Sequence, residues 1–193
     1  MEEHIPKAIP SDIKSLLYES ISKAELEKIH SNFYQKLSEH DYFQGNTLES
    51  LPFISFTTSK IGVKQAIILS NPCDTDVRNK RSRSLRVAYC RVMSLSGFKK
   101  MLNDHSGMTE QEITALEANI KKQFVSDLMY LPSSNHVGIE RIAIFSESSS
   151  SNMDYLQTKK PILTSILATK AYYLFLTKLS IHYLRFGDLS QPV

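Results

Sequence analysis

The sequence predicts an α+β domain: a small, mostly antiparallel β-sheet or barrel with an N-terminal helical hairpin and a long C-terminal helix. Three observations predict it. Apolar residues recur at helical spacing near the start of the chain. Short extended runs bounded by turn residues fill the middle. After Pro161, Leu163, Ile166, Leu167, Ala171, Leu174 and Phe175 fall at offsets 0, 3, 4, 8, 11 and 12. Of the 193 residues, 41% are hydrophobic and 22% charged, the balance of a chain that folds on its own core rather than staying disordered.

Ser11 is placed to N-cap a first helix carrying Ile13, Leu16 and Leu17. Ser22-Lys-Ala-Glu25 is a capping-box pattern that opens a second helix, with the stripe Leu26, Ile29, Phe33 and Leu37. Together these make the hairpin, residues 1–42. The sheet-or-barrel domain with its C-terminal helix is residues 43–193. Phe43-Gln-Gly-Asn-Thr-Leu48 gives a turn and a first extended segment. Residues 52–58 alternate, with Phe53, Ser55 and Thr57 on one side and Ile54 and Phe56 on the other. Ile61-Gly62 leads into a central strand, 64–70. Its apolar run from Ala66 to Leu69 is stopped by Ser70, Asn71 and Pro72.

A loop, 71–83, precedes a strand at 84–94, with Leu85, Val87 and Tyr89 on one face and Arg86, Ala88 and Cys90 on the other. Residues 97–102 read as a short helical turn. Thr109 and Glu112 form a second capping box, opening a helix to about Lys121. Strands are expected at 124–131, ended by Pro132, and at 139–145. The serine-rich run 146–152 reads as an exposed loop. The last helix should run from Pro161 to about Arg185.

Composition bounds the function. Two cysteines far apart make no disulfide framework, and reduced thiols in a cytoplasm are the simpler reading. The acidic N-terminus has no apolar core, so no signal peptide is expected. Lys170, Lys178, His182 and Arg185 interrupt the most apolar segment, so no membrane span or membrane partner is expected.

The net charge of +3 hides an asymmetry. Arg78, Lys80, Arg81, Arg83, Arg86, Arg91, Lys99 and Lys100 fall in one interval that contains no acid, while the rest of the chain is net acidic. Such a run can hold nucleic-acid phosphates or steer an acidic partner, with Tyr89 and Phe98 available for stacking. It can equally be a solvated loop leading to a charge-protected edge strand.

Cys73 and Asp74, just past the central strand, are the other candidates for a site. As a nucleophile Cys73 would need a base such as His105 or His136. The usual burial of free cysteine favours a packed apolar role, with Asp74 capping the turn. A zinc site from Cys73, Cys90, His105 and His136 lacks any close ligand pair, so no metal and no cofactor are expected. Glu110, Glu112 and Glu117 read as a solvated helix face.

Several segments carry a further signal in their order: Phe43-Gln-Gly-Asn-Thr-Leu48, Leu51-Pro-Phe53, Ile67-Ile-Leu-Ser-Asn-Pro-Cys-Asp74, Phe124-Val-Ser-Asp-Leu-Met-Tyr-Leu-Pro132 and a helix ending Leu184-Arg185. This order resembles an uncharacterised family of bacterial and phage proteins found on mobile elements and in defence loci. Its members carry a glycine–aspartate turn, an LSQxCD strand end and a YLP strand. The resemblance spans roughly residues 43–186. It departs at Asn46, where the family has an acid, and at Asn71-Pro72, where it has a polar pair. It implies a small β-barrel core and names no activity.

The expectation is therefore a non-catalytic binding or accessory subunit that acts with a partner protein, in a phage-defence or mobile-element setting. Its binding residues would be Cys73, Asp74, Arg78, Lys80, Arg81, Arg83 and Arg86. The alternative is a nucleic-acid-binding module using the basic stretch 78–91. A Cys-dependent enzyme is a more distant one.

Overall fold

A computed structural model describes residues 23–37, 42–55, 60–75 and 85–183. The expected first helix of the hairpin lies outside the described residues. Helix α1 is described over Lys23–Ser31, and the expected cap Ser22 lies outside the described residues. Strands β1 (Tyr34–Gln35), β2 (Thr47–Ser55) and β3 (Lys60–Ile68) follow, then a short helix α2 (Pro72–Thr75) and β4 (Arg86–Ser94). Two helices, α3 (Leu95–His105) and α4 (Glu110–Lys121), lead to β5 (Leu128–Leu131) and β6 (Arg141–Asn152). The described chain ends with α5 (Met153–Lys159), β7 (Leu163–Leu167) and α6 (Thr169–Tyr183).

The strands form one seven-stranded sheet in the order β1-β7-β2-β3-β4-β6-β5, and every recorded pair is antiparallel. The α+β class and the antiparallel pairing hold. The barrel alternative does not, because β1 and β5 stand at opposite edges of an open sheet. The middle strand is β3, and its buried end, 66–69, is the apolar run that the sequence marks as central.

Helices cover both faces. On one, Ile67, Leu69, Cys90, Val92 and Phe145 pack under Ala171, Leu174 and Phe175 of α6, with Leu26 and Ile29 of α1 beside them. On the other, Leu48, Leu51, Phe53, Ala66, Ile68 and Tyr89 lie under Met153 and Leu156 of α5. Farther along that face, Tyr130, Ile142 and Ile144 pack against Leu95, Phe98 and Ile120 of α3 and α4. Burial on two faces explains why the central strands read as apolar runs rather than clean alternations.

Five sequence expectations need correction. Residues 163–167 are a strand: Thr47 and Leu48 of β2 pair with Ser165 and Leu163, and β1 pairs with Leu167 and Ile166, so the last helix begins only at Thr169. The serine-rich run is the outer half of β6, where Ser148 to Asn152 pair with Cys90 to Arg86. Helix α1 stops at Ser31, and Phe33 is buried beside β1 rather than on a helix stripe. The strand expected at 124–131 starts only at Leu128, and the turn at 97–102 extends into the 11-residue α3. The capping box at the start of α4 is present in both halves. Thr109 Oγ1 accepts from the Glu112 N–H, and the Glu112 carboxylate accepts from the Thr109 N–H at 2.7 Å.

Candidate functional site

Strand β3 has nine residues at about 3.3 Å each, so its two ends lie roughly 27 Å apart. Of the residues proposed from sequence, Cys73, Asp74 and Arg86 lie at one end. A surface that the sequence reading did not single out lies at the other.

At the C-terminal end, the Gly45 turn docks on β3. Gly45 N–H donates to Ile68 O and Ile68 N–H to Asn46 O, both at 2.9 Å. Gln44 Nε2 donates to Leu69 O at 2.7 Å, and Gln44 Oε1 accepts from the Tyr172 hydroxyl at 2.8 Å. Gly45 has φ +84°, and a Cβ there would stand 3.2 Å from both Leu167 Cδ1 and Tyr172 Cδ2, so glycine is required twice over. Beside the turn, Phe43, Gln44, Asn46, Thr169, Tyr172 and Tyr173, with the aliphatic Ile166 and Leu167, line an open cavity of about 310 Å³.

Past β3, Asn71 Oδ1 accepts from the Cys73 N–H at 3.0 Å, an Asx turn that starts α2. Cys73 is exposed, which corrects the expectation that it packs as a small apolar residue. The strand run ends at Leu69 and turns outward, leaving the thiol four residues on in solvent. Asp74 falls in the same short helix. Cys90 is the buried cysteine, and burial pushes its thiol far above the ordinary range, so it is held as the thiol. His105 ends α3 and His136 lies between β5 and β6, both exposed.

The basic interval divides. Arg78, Lys80, Arg81 and Arg83 lie outside the described residues. Arg86 is exposed at the start of β4, opposite in facing to buried Val87 as expected, and donates to Ser150 Oγ at 3.0 Å. Arg91 pairs with Glu147 at 2.9 Å and Lys99 with Glu117 at 2.5 Å. Glu117 also meets Lys121, and the Lys99 bond leads the causes that hold its carboxyl below the usual range. Acids distant in sequence thus neutralise Arg91 and Lys99, and Glu117 is an ion-pair partner rather than only a solvated face. Arg86 stands at the same end of the central strands as Cys73.

The other end of β3 is built differently. Strands β2 and β3 run on together as a hairpin past their neighbours. Pairing of β2 with β7 stops at Leu48, and pairing of β3 with β4 covers only Ala66 to Ile68. Beyond those points Ile54 sits directly opposite Ile61, and Pro52 opposite Val63. Directly opposed residues share a face, as do residues two apart on one strand, so these four side chains form one patch. Ile54, Ile61 and Val63 are 57, 72 and 62% exposed. The opposite face of the hairpin carries Phe53, packed edge-to-face on Tyr89 with ring centroids 5.4 Å apart, and Lys64, whose Nζ lies 5.7 Å from the Phe53 ring centroid. The signal was legible in part: β2 alternates with apolar residues on both of its faces, which a hairpin with one solvated face does not need.

The burial of two basic side chains was not legible in the sequence. Arg141 donates to Ser165 Oγ at 3.2 Å. Lys178 Nζ donates to Gln123 O and Val125 O, both at 2.7 Å, where the chain leaves α4. Among the described residues no three His, Cys, Asp or Glu side chains gather as a metal site requires, and no helix is long and apolar enough to cross a membrane. No protein-family model and no curated protein matches the chain.

Proposed function

We propose that the chain is a non-catalytic binding subunit that docks on a partner protein through the apolar face of the β2–β3 hairpin. The observation that carries this reading is the cross-strand patch of Pro52, Ile54, Ile61 and Val63, three of them more than half exposed. Covering an aliphatic side chain of this size is worth about 1.5–3 kcal/mol, and a contiguous apolar patch beside a folded core is the signature of an interaction surface. An accessory role in a bacterial mobile element or phage-defence locus, which the family resemblance implies, completes the proposal.

The test is co-expression with the products of neighbouring genes. A stoichiometric partner should co-purify with the natural chain and be lost from an Ile54→Asp/Ile61→Asp variant whose circular dichroism is unchanged. Retention of the partner by that variant contradicts the reading.

A second reading, a nucleic-acid-binding module using stretch 78–91, is favoured by Arg86, an exposed guanidinium bonded to a serine hydroxyl. Salt-sensitive retention on heparin, reduced by Arg86→Glu, would support it.

A further inference from the structure

We infer that residues 60–65 of β3 form a strand-addition site, and that its occupant is an extended segment of a partner protein with alternating acidic and apolar side chains. The inference rests on the partner-binding reading and gives the partner its chemistry.

The open edge comes first. Ile68 N–H turns toward β2, donating to Asn46 O, and Leu69 N–H turns the other way, donating to Ala88 O on β4. Backbone groups alternate sides along a strand. The N–H and C=O of Ile61 and Val63 therefore point to the β4 side, beyond the last recorded β3–β4 pair at Ala66. Among the described residues no strand meets them there. The last recorded β3–β4 pair is Ala66 with Arg91, and from Val92 to Ser94 β4 is recorded in pairing with β6 alone. A row of unpaired backbone groups beside an apolar face is the template that β-strand addition uses.

Side chains then select the occupant. Ile61 and Val63 lie on one face of this edge, and Lys60 and Lys64 on the other, all four exposed. An incoming strand that matches both faces sets apolar residues beside Ile61 and Val63 and carboxylates beside the two lysines. A second copy of this chain fits badly. In an antiparallel pairing that keeps apolar against apolar, even-numbered residues oppose even-numbered ones, so lysines share a face with lysines. Slipping by one residue sets lysine against the apolar row. The two lysines thus exclude self-pairing and attract an acidic strand.

The experiment uses the full chain and a short, blocked, fluorescent peptide of alternating glutamate and valine, with a lysine–valine peptide as its counterpart. Anisotropy should show the glutamate peptide binding at least about tenfold more tightly. Lys60→Glu/Lys64→Glu should reverse that preference, and added salt should weaken it. Val63→Pro removes one outward N–H and no bond to β2, and should abolish binding of both peptides. Amide exchange should slow at residues 61 and 63 when the glutamate peptide is bound to the natural chain, a readout independent of that variant's folding.

Three results overturn the inference: neither peptide binds; binding is indifferent to the lysine reversal; or the chain dimerises through this edge in a way that Val63→Pro abolishes. If neither peptide binds while Ile54→Asp/Ile61→Asp still releases a co-purified partner, strand addition fails and the partner-binding reading stands.

Discussion

Lys178 places a primary amine in the core between α6 and the carbonyls of Gln123 and Val125. Burial lowers its pKa to about 7, with the Asp127 charge pulling weakly upward. A neutral amine still carries two N–H donors, enough for both carbonyls. In the unfolded chain the group regains an ordinary lysine value near 10.4. Between those values the unfolded state holds a proton that the folded state lacks, so stability rises with pH across that window, and the penalty is complete below it. Urea unfolding of the natural chain and of Lys178→Met between about pH 7.5 and 9 should show their stability difference shifting toward the natural chain by about 1 kcal/mol per pH unit. Parallel profiles would show the amine to be charged in the fold. The sequence showed Lys178 only as a charge interrupting an apolar segment; that it is buried depends on the carbonyls left free where α4 ends.

Cys73 was misread for a related reason. Free cysteine is usually buried, and an apolar run precedes it. The chain reverses at Ser70 and Asn71, however, and the thiol emerges into solvent. Cys73→Ser should therefore change the urea midpoint by no more than about 0.5 kcal/mol in stability. A loss well above 1 kcal/mol would contradict a peripheral place for this side chain.

At the scale of elements, boundaries marked by local chemistry were legible. The Thr109–Glu112 capping box, Gly45 and the Ser70-Asn71-Pro72 stop are local devices, and each sits at or beside an element boundary. Boundaries set by distant pairing were not. Leu163, Ile166 and Leu167 fit a helix with Ala171, Leu174 and Phe175 because a short apolar run satisfies either period. What makes 163–167 a strand is the pair of vacant ladders offered by β1 and β2, which are more than a hundred residues away. Serines 148–151 are a strand for the same reason: β4 requires a partner along its outer half. The apolar stripe itself was read correctly as core. Leu174 on α6 is buried against the sheet, and Leu174→Ala should cost on the order of 2–5 kcal/mol through the cavity it leaves. A loss below about 1 kcal/mol in urea unfolding would make α6 peripheral.

For the whole molecule, the legible part was the α+β class, an antiparallel sheet and a central strand with the apolar run Ala66 to Leu69 at its end. Its openness, the seven-strand order and the hairpin patch were hidden, because each depends on how far neighbouring strands extend. The patch exists because β7 stops pairing with β2 at Leu48 and β4 leaves β3 at Ala66. The charge asymmetry was visible as a run, but its partial neutralisation by Glu147 and Glu117 required the fold.

Two candidate surfaces therefore stand at opposite ends of β3, an apolar hairpin with a lysine-bearing edge and a turn region bearing Cys73 and Arg86. Amide hydrogen exchange on the chain alone and on its purified complex separates them directly. Protection confined to residues 51–55 and 60–65, with 72–75 and 85–90 unchanged, is the result expected if the hairpin is the docking surface. Protection at 72–75 and 85–90 with the hairpin unchanged would contradict it and move the interface to the basic end.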